Sequence, residues 1–593
     1  MCGIAGELRF DGTSPERATL ERMSARLARR GPDGAGFWQD GPIALAHRRL
    51  AIIDLTERSA QPMVDAAAGL ALVFNGTIYN YPELRAVLHE RGHTFFSDGD
   101  TEVILRAYAE WGEACVERLA GMFAFALWDM RAQKLFLARD RIGIKPLYFA
   151  RSDNWFRFAS TTQALLATGE IDTTLDKEAL HFQFMLHAAV PPPFTVLRGI
   201  RKLEQGTTLT LDAVGRVSER RYWSLRATRP ATPMSEHQWT EAIHAALREA
   251  VKTHLAIADV KVGVLLSGGL DSSLLVALLA EAGVTDLMTF SIGFEDHPEE
   301  CGHEFEYSDA VADYYGTRHH KYRIPNAEVL ARLPEAIDAM AEPMVSQDAV
   351  SFYLLAERVS RTVKVVQSGQ GADEIFAGYA WHAKMAAEPG PYLDRLKRHY
   401  FDREHAEFAE MLSAPYQTED VTAARVAAKL SEPFADEFLD QLLRAEVTLF
   451  IADDPVKRVD NMTMAWGLEA RVPFLDHHLV ELAAQMPPEL KLGSGGKHVL
   501  KRLARGLLPD AVIDRPKGYF PMPALKFVRG EFLEFMRAIL DSQACRARGL
   551  YQRAYVDKLL AAPEKHLTRI QGSKLWHLAL LEYWLQKHVD ARR

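Results

Sequence analysis

The chain opens Met1-Cys2-Gly3-Ile4-Ala5-Gly6, and Cys2 decides how its first third is read. Removal of the initiator methionine would make Cys2 the N-terminal residue. Its thiol and its own free α-amino group would then lie on one residue, so nucleophile and local base come together. A thiolate attacks an amide carbonyl well, and a terminal amine with a solution pKa near ~8 can shuttle the proton at neutral pH. Taken alone, Cys2 also reads as a small hydrophobe near a frayed terminus. The segments that follow it decide between the two.

Working outward, the chain carries Arg30-Gly31-Pro32-Asp33 and His47-Arg48-Arg49-Leu50-Ala51-Ile52-Ile53-Asp54. Next come Phe74-Asn75-Gly76-Thr77-Ile78-Tyr79-Asn80, Gly99-Asp100-Thr101-Glu102, Gly121-Met122-Phe123-Ala124-Phe125-Ala126 and Ala138-Arg139-Asp140-Arg141-Ile142-Gly143-Ile144-Lys145-Pro146-Leu147-Tyr148. In this order, behind a cysteine at position two, the set resembles the class II glutamine amidotransferases, the N-terminal-cysteine glutaminases. Physical roles fit glutamine: Arg49 offers a planar fork for the α-carboxylate, and Asp100 a charge for the α-ammonium. The resemblance implies that the Asn75 side-chain amide and the Gly76 N–H form an oxyanion hole for the intermediate on Cys2. It places glutamine against Arg49, Leu50, Ala51, Ile52, Ile53, Asn75, Gly76, Thr77 and Asp100. Thr77 is a departure, since the pattern usually reads Asn-Gly-Glu-Ile-Tyr-Asn.

Composition bounds the rest. At 593 residues, two or three domains are expected. An apolar content of 48% with 25% charged residues is that of a soluble globular protein. Seventy basic against 79 acidic residues give a net charge of −9, which argues against a nucleic-acid partner. Four cysteines without metal-type spacing point to reduced thiols and a cytoplasmic protein. No apolar run reaches the ~18–20 residues that span a bilayer, and no secretory signal is expected at the N-terminus.

The first ~200 residues mix short alternating runs, such as residues 70–74 and 134–138, with a helical stretch over 101–111. By resemblance, residues 2–215 form an αββα N-terminal-nucleophile glutaminase domain. A Pro/Thr/Ala/Arg-rich stretch over 225–235 reads as the linker. From 236 to 593, strand-like runs at 260–266, 287–292 and 363–366 alternate with helical patterns at 274–282 and 351–360. That alternation predicts a doubly wound parallel α/β domain with a helical C-terminal part.

The run Val262-Gly263-Val264-Leu265-Leu266 leads straight into Ser267-Gly268-Gly269-Leu270-Asp271-Ser272-Ser273. A glycine-rich turn between strand and helix is an anion site, here without the P-loop lysine. It resembles the pyrophosphate loop of ATP pyrophosphatases. Ser368-Gly369-Gln370-Gly371-Ala372-Asp373-Glu374, residues 464–476 and Arg515-Pro516-Lys517-Gly518-Tyr519-Phe520-Pro521 extend the resemblance to the asparagine synthetase family, nearly end to end. The resemblance implies ATP against Leu265, Ser267, Gly268, Gly269, Asp271, Ser272, Ile292, Ser368 and Gly369. It implies Mg²⁺ on Asp271 and Asp373, hard oxygens for a hard cation, a catalytic Lys517 offsetting phosphate charge, and an acceptor against Gln370 and Asp373.

Gln370 and Asn461 stand where family members usually carry an acid and an arginine, both expected near the acceptor pocket. With residues 367–379 and 515–521, they resemble the N-acetylglutaminylglutamine amidotransferases, which amidate a blocked dipeptide to make a compatible solute. The reading is therefore a glutamine-hydrolysing, ATP-dependent ligase whose partners are glutamine, ATP and a carboxylate acceptor, with neither nucleic acid nor membrane and with a homodimer open to it. Three other readings remain: plain asparagine synthesis from aspartate, a β-lactam-synthetase-like cyclase, and an inactive regulator that binds glutamine or nucleotide.

Overall fold

The computed structural model describes residues 2–515, 518 and 522–592. Two six-stranded antiparallel sheets build the first two hundred residues. The first contains β1 (Gly3–Arg9), β2 (Gly34–Asp40), β3 (Ile43–Arg49), β8 (Tyr148–Arg151), β9 (Trp155–Ala159) and β10 (Arg201–Lys202), in the order β10-β8-β9-β1-β3-β2. The second contains β4 (Met63–Asp65), β5 (Leu70–Ile78), β6 (Gly121–Asp129), β7 (Lys134–Arg139), β11 (Thr207–Asp212) and β12 (Val217–Arg221), in the order β12-β11-β7-β6-β5-β4.

The period-two alternation explains why two sheets face each other with helices outside. On β5, Ala71 and Val73 enter the core between the sheets, while Leu72 and Phe74 enter a second core. On β6, Ala124, Ala126 and Trp128 point one way, and Phe123, Phe125 and Leu127 the other. A strand buried on both faces needs a layer on each side. The outer layer on this sheet comes from α1 (Tyr81–Glu90) and α2 (Asp100–Trp111), which insert Leu84, Leu88, Val103, Ile104 and Ala107. The helix Arg17–Arg26 covers the other sheet with Leu20 and Met23. This is the expected αββα arrangement.

The second half is built on five parallel strands: β13 (Val262–Leu265), β14 (Met288–Phe294), β15 (Arg318–Ile324), β16 (Val365–Gln367) and β17 (Glu469–Arg471), in the order β15-β14-β13-β16-β17. Chain order reverses between β13 and β16, so the loops leaving their carboxyl ends flank a crevice. The loop after β13 is Ser267–Gly269, followed by α3 (Leu270–Glu281), a helix with apolar residues on every face that is buried along most of its length. The loop after β16 holds Ser368, Gly369 and Gln370. Beyond β17 the chain is almost wholly helical.

The stretch over 225–235 is anchored. Leu225 and Ala227 are buried, Ala227 N–H donates to the Phe434 carbonyl at 2.7 Å, and Arg229 bonds Asp440 at 2.7 Å. One apolar core runs from the helix side of the first sheet, through residues 179–190, into the parallel domain. Among the described residues, no helix is long and apolar enough to cross a membrane, and all four cysteines are free.

Candidate active sites

Cys2 lies at the head of β1, buried beside β5 and β3. Its backbone N–H, which becomes the α-amine once Met1 is removed, donates to Asn75 Oδ1 at 3.0 Å. Burial pushes the thiol above its ordinary value, against the pull of a hydrogen bond from the Leu50 N–H and of the nearby Arg49 charge. Asn75 is fully buried, and its Nδ2 has no hydrogen-bond partner among the described residues. An unspent donor in a dry site beside a thiol is what a developing oxyanion requires. Gly76 has a packing reason as well as a chemical one: a Cβ there would lie 2.2 Å from the Met122 carbonyl on β6.

Arg49 is fixed by two backbone carbonyls, Nη1 to Thr56 at 2.9 Å and Nη2 to Asp54. Asp100 begins α2, is buried, and accepts the Ile78 N–H at 3.0 Å. Burial pushes its carboxyl up to about 6. Leu50 and Ile52 are buried, and Ala51 N–H donates to Asp33 at 2.8 Å. The parallel domain holds this loop from the far side: Asp259 N–H donates to the Ile52 carbonyl at 2.9 Å, and Asp259 Oδ2 accepts the Asp54 N–H at 2.8 Å. Thr77 also reaches across, its Oγ1 donating to Glu469 on β17 at 3.3 Å. Every expected glutamine-site residue therefore belongs to one neighbourhood around β1, β5 and the loop after β3.

The second site occupies the crevice between β13 and β16, as a cavity of about 450 Å³. Leu265, Ser267, Gly269, Asp271, Ser272, Ile292, Ser368 and Gly369 line it, together with Gln370 and Asp373. Gly268 is packed behind the wall: it adopts φ +74°, and a Cβ there would strike the Ser308 backbone nitrogen at 2.5 Å. Its place in the loop is conformational. Lys517 lies outside the described residues.

Lys497 supplies a cation that sequence reasoning did not single out. Its Nζ lies 2.6 Å from Asp271 Oδ2 and 2.7 Å from Asp373 Oδ1, inside the cavity. Burial opposes its charge, but the two carboxylates prevail and hold the ammonium above its usual range. It is aimed by a tight turn: Ser494, Gly495, Gly496 and Lys497 have φ of 55°, 77°, 98° and 56°. Two non-glycine residues in that region are strained, by about 1 kcal/mol or more each. The run Gly493-Ser494-Gly495-Gly496-Lys497, a glycine-rich turn ending on lysine before the helix His498–Ala504, was the available signal.

One expectation is corrected. Asp460 and Asn461, expected near the acceptor pocket, do not line the cavity between β13 and β16. They sit on the helix Pro455–Met464 against the glutaminase domain, where Asp460 bonds Arg30 at 3.1 Å and Lys145 at 3.0 Å. Arg30 also donates to the Cys2 carbonyl at 3.2 Å. Asn461 Oδ1 accepts the Ala341 N–H at 2.7 Å. Asn461 thus satisfies a buried backbone donor, a job for a short amide.

A second cavity of about 450 Å³ adjoins the first. Asp348, Tyr379 and Arg458 line both. Its further walls include Trp381, Tyr400, Phe450 and Trp576. Most of its charged groups are already engaged: Lys526 with Glu300 at 2.7 Å, His399 with Glu388 at 2.9 Å, Glu446 with His382 at 2.8 Å, Glu374 with the Tyr379 hydroxyl at 2.7 Å, and Arg458 with Asp454 and Asp348 at 3.4 Å.

Residues 1–223 match the model of a glutamine amidotransferase domain, and residues 242–586 that of asparagine synthase. The chain belongs to the asparagine synthetase family. It is 31% identical to asparagine synthetase [glutamine-hydrolyzing] 3 of Bacillus subtilis, with both chains covered in full. It is 32% identical to a putative asparagine synthetase of Mycobacterium bovis, over 98% of this chain and 97% of that one. A glutamine phosphoribosylpyrophosphate amidotransferase of B. subtilis matches 54% of this chain and 90% of its own length at 15% identity, with a TM-score of 0.31. As a family member, the protein is a glutamine-hydrolysing amidotransferase of the asparagine synthetase type, a carbon–nitrogen ligase. The synthetase cavity also passes a simple chemical test for Mg²⁺. Asp271 and Asp373 bring carboxylate oxygens to one point, marked by the Lys497 Nζ between them, at the mouth of the glycine-rich loop after β13.

Proposed function

We propose that the two sites work in series and that the acceptor is a blocked glutamine dipeptide, N-acetylglutaminylglutamine. Cys2 attacks the side-chain amide of glutamine. A C–S bond forms, the oxyanion meets Asn75 Nδ2 and the Gly76 N–H, and ammonia leaves as the C–N bond breaks. Water then releases glutamate. Arg49 and Asp100 hold the two charged ends of the substrate. In the second site the loop from Ser267 to Ser272 cradles ATP, with Leu265, Ile292, Ser368 and Gly369 about the nucleoside. The acceptor carboxylate attacks the α-phosphorus and pyrophosphate departs. Ammonia then attacks the acyl carbon and AMP departs. Asp271 and Asp373 would hold Mg²⁺, whose charge offsets that of the phosphates, and Lys497 does the same from the protein side.

The observation that carries the acceptor reading is the second cavity. At about 450 Å³ beyond the nucleotide cavity, it lies within the size range of drug-sized ligand sites, roughly 300–1,000 Å³. Aspartate would leave most of it filled with water. Aspartate also brings an ammonium and a second carboxylate, which need fixed counter-charges, whereas most charged groups lining the cavity are already engaged by other protein groups. A blocked dipeptide brings one carboxylate, neutral amides and apolar stems, which suit the aromatic walls, with Gln370 in the adjoining cavity. The competing acceptor is aspartate, favoured by the names of the relatives. Acceptor-dependent AMP release decides between them. N-acetylglutaminylglutamine should support it and aspartate should not; the reverse result leaves an asparagine synthetase.

A further inference from the structure

We infer that Glu469, a residue of the synthetase domain, is a positioning residue of the glutaminase site, and that β17 carries the state of the ATP loop to the cysteine. The inference rests on the glutaminase reading of Cys2, Asn75 and Gly76 proposed above, and adds a residue and a regulation to it.

The geometry is short and direct. Thr77 follows the two oxyanion-hole residues on β5, and its hydroxyl donates to Glu469 Oε1 at 3.3 Å across the domain boundary. Glu469 is fully buried. Arg471 Nε donates to the same oxygen at 2.5 Å, and Arg471 Nη1 is fixed by the carbonyls of His254 and Ile257, each at 2.7 Å. The carboxylate therefore cannot follow Thr77 if β5 moves; it anchors it. The other end of the same three-residue strand holds the nucleotide site. The Ser368 N–H donates to the Arg471 carbonyl at 2.8 Å, and Ser368 opens the loop that lines the ATP cavity. Ala470 alone thus separates a contact to the oxyanion strand from a contact to the ATP loop.

An interface hydrogen bond of purely structural value would need only a neutral acceptor. Here the synthetase domain presents a buried carboxylate, balanced by Arg471 and out of reach of water. Burial is what chiefly raises the Cys2 thiol and the Asp100 carboxyl, and the Glu469 charge adds to it in the same direction at both. A displacement of β17 therefore changes two things at once: the placing of the Asn75 and Gly76 donors, which must meet the oxyanion within a fraction of an ångström, and the field at the nucleophile. Binding of ATP and acceptor against Ser368, Gly369 and Gln370 is the natural cause of such a displacement.

The test compares glutamine hydrolysis with and without ATP and acceptor in wild type, Thr77→Val, Thr77→Ser and Glu469→Gln, with ammonium-dependent amide synthesis as control. Wild type should hydrolyse glutamine faster with both ligands present, by roughly five-fold or more, the lower end of ordinary coupling between sites. Thr77→Val and Glu469→Gln should lose that ligand-dependent rise in kcat, whatever the level of hydrolysis without ligands, with ammonium-dependent synthesis intact; Glu469→Gln should in addition leave KM for glutamine little changed. Thr77→Ser should restore it. A wild type indifferent to the ligands, or a Thr77→Val that keeps the full rise, overturns the inference. Thr77→Val leaves the Glu469–Arg471 pair in place, so it carries the test even if Glu469→Gln fails to fold. Hydrolysis surviving in Cys2→Ala would instead defeat the glutaminase reading beneath it.

Discussion

At the scale of single residues, the two chemistries are separable. Cys2→Ala should abolish glutamine hydrolysis and leave synthesis from ammonium salts, because the ATP cavity owes nothing to the thiol. Asn75→Ala removes one oxyanion donor and should lower glutaminase kcat by roughly 10²–10³. Steady-state glutamate release measures both. Asp100 adds a pH signature. Its carboxyl is raised to about 6, so it is charged above that pH and neutral below it. If it holds the glutamine ammonium, KM for glutamine should climb as pH falls through 6, with kcat less affected. A flat KM from pH 7.5 to 5 would remove Asp100 from the substrate. Lys497→Ala should abolish acceptor-dependent AMP formation while sparing glutamate release. Undiminished AMP formation in that variant would show that the lysine serves the fold alone.

At the scale of elements, the ion triad of Arg30, Lys145 and Asp460 pins the helix Pro455–Met464 to the glutaminase domain. Burial alone would raise the Asp460 carboxyl, but the two cations override it and hold it below the ordinary range. Its stabilising contribution is therefore present at neutral pH and fades only in acid. Burial pulls the Lys145 ammonium down at the same time, so the intact triad stabilises little, but removing its one anion leaves two cations buried. Asp460→Ala should cost about 3–5 kcal/mol, the usual penalty for breaking a buried pair, read as a fall in the denaturation midpoint. A loss within about 0.5 kcal/mol, as at ordinary surface sites, would mean that water reaches the triad. The elements themselves were legible from alternation and apolar runs, and their edges shifted for physical reasons. The helix expected over 274–282 begins at Leu270, because its first turn, Asp271-Ser272-Ser273, is polar for the sake of the anion site. The strand expected over 363–366 ends on Gln367, a buried amide that repays its burial by donating to the Val251 carbonyl at 2.9 Å.

At the scale of the whole molecule, what sequence could not supply is contact across the domain boundary. Cys2, Asn75 and Asp100 were legible because each sits in a local motif with its own chemistry. Asn461 was misplaced because its partner, the Ala341 backbone, lies 120 residues away. Lys497 went unnoticed because the two acids it bridges are 226 and 124 residues upstream, and Glu469 because Thr77 is 392 residues upstream. The second cavity likewise gathers residues from 187 to 576, which no single motif spans. The central claim, glutamine-driven amidation of a blocked dipeptide, is tested most directly by competition. The enzyme is given ATP, glutamine labelled with ¹⁵N in its amide, and equal concentrations of aspartate and N-acetylglutaminylglutamine, and the products are weighed by mass spectrometry. The label should appear in the newly formed amide of the dipeptide, with asparagine unlabelled and scarce; labelled asparagine beside an untouched dipeptide would contradict the account.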